Sequence, residues 1–188
     1  MSYNVKEELK NLLSNRESDI KDWIEEKSYG LLTPVYSSVD MRFSGAKFVP
    51  VDYNIFPAGF NNLSEESIAI GSRNIQRYLQ RFFPNVHHIG LITEYHTRNQ
   101  FYQLNVECIV KIIENAGYKV STAPLTEGVT IDEDLPSTSF ITNNQGRIAI
   151  NNTCVDLVLL NNDLSAGFPA LLTDAVTPVI PSTKLGWY

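Results

Sequence analysis

Two polar clusters in this 188-residue chain carry the side-chain types that recognise a small charged molecule. One is Glu94-Tyr95-His96-Thr97-Arg98-Asn99, and the other is Asn161-Asn162-Asp163-Leu164-Ser165-Ala166-Gly167. Arg98 can form a bidentate pair with a carboxylate, helped by the N–H groups that open a helix after it. Asp163 can receive an ammonium group, and the amides of Asn99 and Asn162 supply both donors and acceptors. Such a set suits a zwitterion. Asn, Asp and Ser are also the ordinary turn and cap formers, which is the other account of their presence. A second set, Asp40, Arg42, Lys47, Asp52, Asn54, Asn61 and Asn62, alternates with apolar residues, so several can share one face of a sheet. A solvated strand face explains Arg42 and Lys47 as well. It fits less well with Phe56-Pro57-Ala58-Gly59-Phe60-Asn61-Asn62, which exposes two Phe unless the loop packs on something.

Other chemistries find little support. His96 has no evident Cys or Ser partner, so it reads as a hydrogen-bonding residue before it reads as a general base. His87 and His88 lack ligand spacing to other His, Cys or carboxylates, so no metal ligand is assigned. No catalytic acid or base is assigned either. Neither G-x-x-x-x-G-K-[ST] nor G-x-G-x-x-G occurs, and G-x-S-x-G is absent.

The elements that must position the clusters can be read from periodicity. Val5, Leu9, Leu12, Leu13, Ile20, Trp23 and Ile24 predict one amphipathic helix that Gly30 stops. Val35–Arg42 and Lys47–Asn54 read as paired strands, with Pro50 placing the second at an edge. A helix follows, capped by Ser64 and carrying Ile68, Ile75, Leu79, Phe82 and Phe83. His88–Thr93 is a buried strand. Phe101, Leu104, Cys108, Ile109, Ile112 and Ile113 mark a helix, and Tyr118–Thr122 is the next strand, completing a β-α-β unit. Thr126–Pro136 is an acidic loop. Asn143-Asn144-Gln145-Gly146 is a hairpin turn, and Val155–Leu160 is apolar enough for burial on both faces. The expected fold is therefore α/β and Rossmann-like: a mainly parallel sheet with flanking helices and a β-hairpin, in a single domain over 1–188. In such sheets ligands sit beyond the carboxyl ends of strands, where both polar clusters fall.

Bulk properties agree. Hydrophobic residues make up 43% of the chain, enough for a sizeable core. The net charge of −6 is spread out, with no basic stripe for nucleic acid. No apolar run approaches the length of a membrane span and no signal peptide is visible, so no membrane partner is expected. Cys108 and Cys154 are expected to be reduced, buried thiols of a cytoplasmic protein.

Four blocks in order resemble one family. They are Pro34–Arg42, Lys47–Leu63, Glu94–Asn99 and Leu160–Gly167, and together they resemble the proteobacterial glutamate–cysteine ligase family, distinct from the enterobacterial and plant-type ligases. The resemblance implies ATP-dependent formation of γ-glutamylcysteine, the first step of glutathione biosynthesis, through a γ-glutamyl phosphate that the cysteine amine attacks. It implies L-glutamate, L-cysteine and ATP as small-molecule partners, with Mg2+ spreading the phosphate charge. It also implies a pre-ATP-grasp-like substrate-binding domain with Arg42, Lys47, Asp52, Asn54, Asn61, Asn62, Arg98, Asn99, Asn162 and Asp163 as pocket residues. Members of the family are about twice this length. The chain is thus expected to be the N-terminal half of a larger enzyme and inactive alone, with most of the ATP and magnesium site elsewhere. Pro178–Tyr188 is expected to expose an apolar surface to the missing half. The readings that stay open beside this one are a non-catalytic amino-acid-binding module and an interaction protein using a sheet edge.

Overall fold

The computed structural model describes residues 5–31, 33–45, 47–94, 99–125, 141–162, 164 and 169–182. Its centre is a parallel sheet ordered β4-β3-β8-β9, formed by β3 (His88–Thr93), β4 (Lys119–Pro124), β8 (Leu157–Asn161) and β9 (Val179–Ile180). Every residue of β3 and β8 is buried, as expected of strands covered on both faces. Alternation divides their side chains between two layers. Ile89, Leu91, Leu157 and Leu159 join one core with α3 (Glu65–Phe82) and α4 (Gln100–Asn115). Ile92, Val158 and Leu160 join a second core with Ile148 and Ile150, and with Leu172 of the short α5 (Ala170–Thr173). Ile148 and Ile150 come from a three-stranded antiparallel sheet: β5 (Ile141–Asn144), β6 (Arg147–Ile150) and β7 (Thr153–Cys154).

Local chemistry explains the element ends. Ser64 accepts the Ser67 N–H at 3.2 Å and opens α3, with Glu65 and Glu66 in the favourable first turn. Asn99 accepts the Phe101 N–H at 3.0 Å and opens α4. The β5–β6 turn has positive φ at both Gln145 (55°) and Gly146 (83°), the geometry that twists a two-residue hairpin correctly. The acidic stretch expected as a loop at Thr126–Pro136 lies outside the described residues.

Contacts gather the chain into two compact units, Met1–Pro34 with Val39–Tyr53, and Val35–Ser38 with Asn54–Tyr188. The second holds the parallel sheet. The first holds α1 (Val5–Asn15), α2 (Glu17–Ser28) and all but the terminal residues Ser38 and Asn54 of a two-stranded ribbon, β1 (Ser38–Phe43) with β2 (Phe48–Asn54). The single helix expected from periodicity is two, broken at Arg16, whose backbone (φ −118°, ψ 20°) leaves the helical region without any Pro or Gly. Pro50 sits in β2, where a two-stranded ribbon tolerates its missing N–H.

Two further expectations are corrected. Cys108 is buried, but Cys154 is exposed on the short β7, where little covers it. Ile180 is buried and Val179 half-buried because β9 pairs with β8, so that part of Pro178–Tyr188 is no open apolar surface, while 183–188 lie outside the described residues. Exposed apolar side chains occur on both units, among them Trp23 and Tyr29 at 60% and 90% exposure on the first and Phe101 and Val176 on the second. Among the described residues, no helix is long and apolar enough to cross a membrane.

Candidate functional site

The parallel strands all end on one edge of the sheet, and a polar network is built there within the second unit. Asn161, the last residue of β8, has its side chain almost wholly committed. Its Oδ1 accepts from Asn105 Nδ2 at 3.3 Å, and its Nδ2 donates to the Pro57 carbonyl at 2.9 Å. Asn105 Oδ1 in turn accepts the Phe60 N–H at 2.9 Å, and the Cys108 thiol donates to the Phe60 carbonyl at 3.1 Å. Two buried amides and a thiol thereby hold the 57–60 loop on the middle of α4 and the end of β8. Each buried polar group here gains a partner that water can no longer provide.

Two phenols tie off the strand ends. Tyr102 donates to the Asn161 carbonyl at 2.7 Å and accepts the Glu94 N–H at 3.0 Å, linking the ends of β8 and β3. Tyr36 donates to the Leu160 carbonyl and packs edge-on against Phe60, with ring centroids 5.7 Å apart. Burial pushes the Tyr102 hydroxyl up to about 12 and raises that of Tyr36 further, so both are donors and neither is a base at neutral pH. Burial also raises the Cys108 thiol, offset in part by Lys111, so it stays protonated.

Asn162 differs from its neighbour. It is buried at 5% exposure, yet its Oδ1 has no hydrogen-bond partner among the described residues. An orphaned buried acceptor costs about 1–3 kcal/mol, so such a position is a standing demand for a donor. An ammonium or amide N–H of a ligand would meet it. Asn54 Oδ1 accepts the Phe56 N–H at 2.8 Å and forms a turn. Asn61 and Asn62 lie in a 3-10 turn (Phe60–Asn62), side chain to side chain at 3.4 Å. Asn99 caps α4. Asn54, Asn61, Asn62, Asn99 and Asn162 therefore belong to the unit that carries the network. Arg42, Lys47 and Asp52 are exposed on the ribbon of the other unit. Arg98, Asp163 and His96 lie outside the described residues.

Sequence reasoning missed Tyr36, Tyr102, Asn105 and Asn161 as members of the network. One signal was available for Asn105: it stands four residues before Ile109, and α4 buries Asn105, Cys108, Ile109, Ile112 and Ile113 along one stripe. Phe101 and Leu104, expected on that stripe, are exposed. No group of three or more His, Cys, Asp or Glu that could hold a metal ion occurs among the described residues.

A profile of the glutamate–cysteine ligase (GshA) family matches residues 10–188. The chain belongs to the glutamate–cysteine ligase family. A crystal structure of a candidate gamma-glutamylcysteine synthetase from Methylobacillus flagellatus KT is similar to this ligase-family chain, with a TM-score of 0.79 and 30% identity over 90% of it. The chain spans 42% of the length of that protein. A search of curated proteins gives no match. The shared architecture is the parallel sheet with helices and an antiparallel hairpin described above.

Proposed function

We propose that this chain forms the amino-acid-binding part of an ATP-dependent glutamate–cysteine ligase, a cytoplasmic enzyme that joins L-glutamate to L-cysteine. The observation that carries the reading is the family match over residues 10–188. The carboxyl edge of the parallel sheet is the proposed binding region, because a rigid, fully bonded network there leaves one buried acceptor, Asn162 Oδ1, without a donor. The pocket takes in Asn54, Asn61, Asn62, Asn99 and Asn162 beside the network. Arg98 and Asp163 follow β3 and β8 in sequence and are proposed as part of it.

In this reading the roles divide plainly. Asn162 accepts from the substrate ammonium, and Arg98 faces a carboxylate. Asn105, Asn161, Tyr36 and Tyr102 are positioning residues: they fix the 57–60 loop and the strand ends so that the pocket is formed before substrate arrives, which saves ordering entropy on binding. ATP supplies the activation of the γ-carboxylate as an acyl phosphate. The described residues do not fit a magnesium site, having no cluster of donors for one, so no step is routed through the metal here. The described residues bind and orient, and the two phenols and the thiol at this edge, all raised by burial, keep their protons near neutrality. The 188-residue chain is accordingly expected to bind amino acid without turning over ATP.

Titration calorimetry with L-glutamate and L-cysteine tests this directly. At least one of them binds the wild-type chain, and Asn162→Ala weakens that binding by about tenfold or more, the consequence of removing one charge-assisted hydrogen bond. Absence of binding by either amino acid, or equal binding by Asn162→Ala, would overturn the assignment of this edge. ADP release that depends on both amino acids in the 188-residue chain would overturn its role as a binding part alone.

A further inference from the structure

The opposite edge of the same sheet carries a second cavity. Strands β3, β8 and β9 begin at His88, Leu157 and Val179, and the residues just before each of them, Pro84–Val86, Val155–Asp156 and Val176–Pro178, line a cavity of about 460 Å3. That volume lies within the range of small-molecule sites, about 300–1,000 Å3. It belongs to the amino ends of the strands, away from the edge that holds Asn162. Its wall is apolar, with Phe82 and Phe83 from the end of α3 and Val176 and Pro178 from the loop before β9.

Two charged groups of opposite sign also line it, Arg147 and Asp156. Asp156 is rigidly held, since its Oδ2 accepts the N–H groups of His87 at 3.0 Å and His88 at 2.9 Å. Its Oδ1 has no hydrogen-bond partner among the described residues. Arg147 opens β6 and takes part in none of the ion pairs among them. The two are not paired with one another, although they share one cavity. A fixed carboxylate and a free guanidinium flanking an apolar wall match the three parts of an amino acid with an apolar side chain: ammonium, carboxylate and hydrocarbon.

We infer that this cavity is a second binding site, one for a free α-amino acid with an apolar or aromatic side chain. Arg147 takes the carboxylate in a bidentate pair, Asp156 Oδ1 takes the ammonium, and Phe82, Phe83, Val176 and Pro178 take the side chain. The inference stands independently of the ligase reading, because it concerns the other edge of the sheet. Bound there, the ligand would join the loops that precede three of the four parallel strands, and so act on the sheet without competing at the carboxyl edge.

The test is a titration of the 188-residue chain followed through backbone amide NMR signals, with three probes: L-phenylalanine, L-phenylalaninamide and 3-phenylpropionate. The amide lacks the carboxylate charge and the propionate lacks the ammonium. L-phenylalanine is expected to shift the signals of Val155, Asp156, Val176 and Thr177 while leaving Glu94 and Asn162 unmoved. Each analogue is expected to bind about tenfold more weakly or worse, as loss of one charge-assisted contact requires. Arg147→Ala, an exposed position at the start of a strand, removes the preference of L-phenylalanine over its amide; the analogue series on the wild-type chain stands even if that variant does not fold. Equal binding of all three probes would reduce the cavity to a non-specific apolar cleft. Shifts confined to the carboxyl edge, or no shifts at saturating probe, would overturn the site altogether.

Discussion

Asp156 bonds two successive N–H groups and so ties the start of β8 to the start of β3 before either ladder begins. Burial works against its charge, but the His87 and His88 N–H donors and the nearby imidazoles outweigh it and hold the carboxyl below the usual range. A carboxyl depressed in the folded state stabilises the fold fully above its unfolded value of about 3.9, and that contribution is lost as pH falls through the folded value. Asp156→Asn should therefore be less stable than wild type at neutral pH in urea unfolding, and the two should converge in the acid range below about pH 3.9. Curves that stay equally separated into acid would contradict this. At the other edge, adjacent asparagines have opposite fates. Asn161 is saturated and structural, while Asn162 is left wanting a donor, and nothing in the letters Asn-Asn distinguishes them. The difference is set by the partners that the 57–60 loop and α4 bring, which are distant in sequence. Arg98 and Asp163 could be proposed from residue type, whereas Tyr36 and Tyr102 could not, because a phenol capping a strand carbonyl has no sequence signature.

Among the elements, β3 shows how closely packing constrains a single position. Gly90 lies in its centre, facing the antiparallel sheet, and a Cβ there would stand 3.0 Å from Ile150 Cδ1 and 3.1 Å from Val155 Cγ2. Both neighbours are fully buried members of the second core. Gly90→Ala should destabilise the chain by about 1–3 kcal/mol, the range for an overpacked core methyl, as measured by denaturant midpoint. An unchanged midpoint would mean that the hairpin sheet is free to shift. The elements themselves were largely legible: β3, α3, α4, β4 and the β5–β6 turn follow from apolar runs, the Ser64 cap and the Gln145-Gly146 turn. The division of α1 from α2 was not, since Arg16 carries no breaker signal. Neither was the outward turn of Phe101 and Leu104, because periodicity fixes which residues share a stripe but not which stripe meets the core. The two Phe of the Phe56–Asn62 loop, which need cover, have it: Phe56 and Phe60 each pack against one of the two cores.

At the scale of the molecule the two units differ in how they are held. The second has two buried cores and a fully covered central pair of strands. The first has a ribbon in which Val39, Met41, Phe43, Phe48, Val49, Val51 and Tyr53 are each 45–56% exposed, with Phe43 and Phe48 stacked at 4.7 Å. An isolated two-stranded ribbon is marginally stable in water. Hydrogen exchange should therefore find β3 and β8 protected up to the global stability, while β1 and β2 exchange through local opening orders of magnitude sooner. Uniform protection across both would show that the ribbon is held by contacts beyond those described. The strand order carries one more consequence, concerning time. β3 lies between β4, made soon after it, and β8, which begins at residue 157. At about 5–20 residues per second on the ribosome, the nascent chain spends several seconds with a strand that the finished fold buries completely left unpaired along one side. During that interval the growing polypeptide presents a sticky edge to its surroundings. Chaperone demand should be set by this delay between the two central strands, whatever the stability of the finished fold.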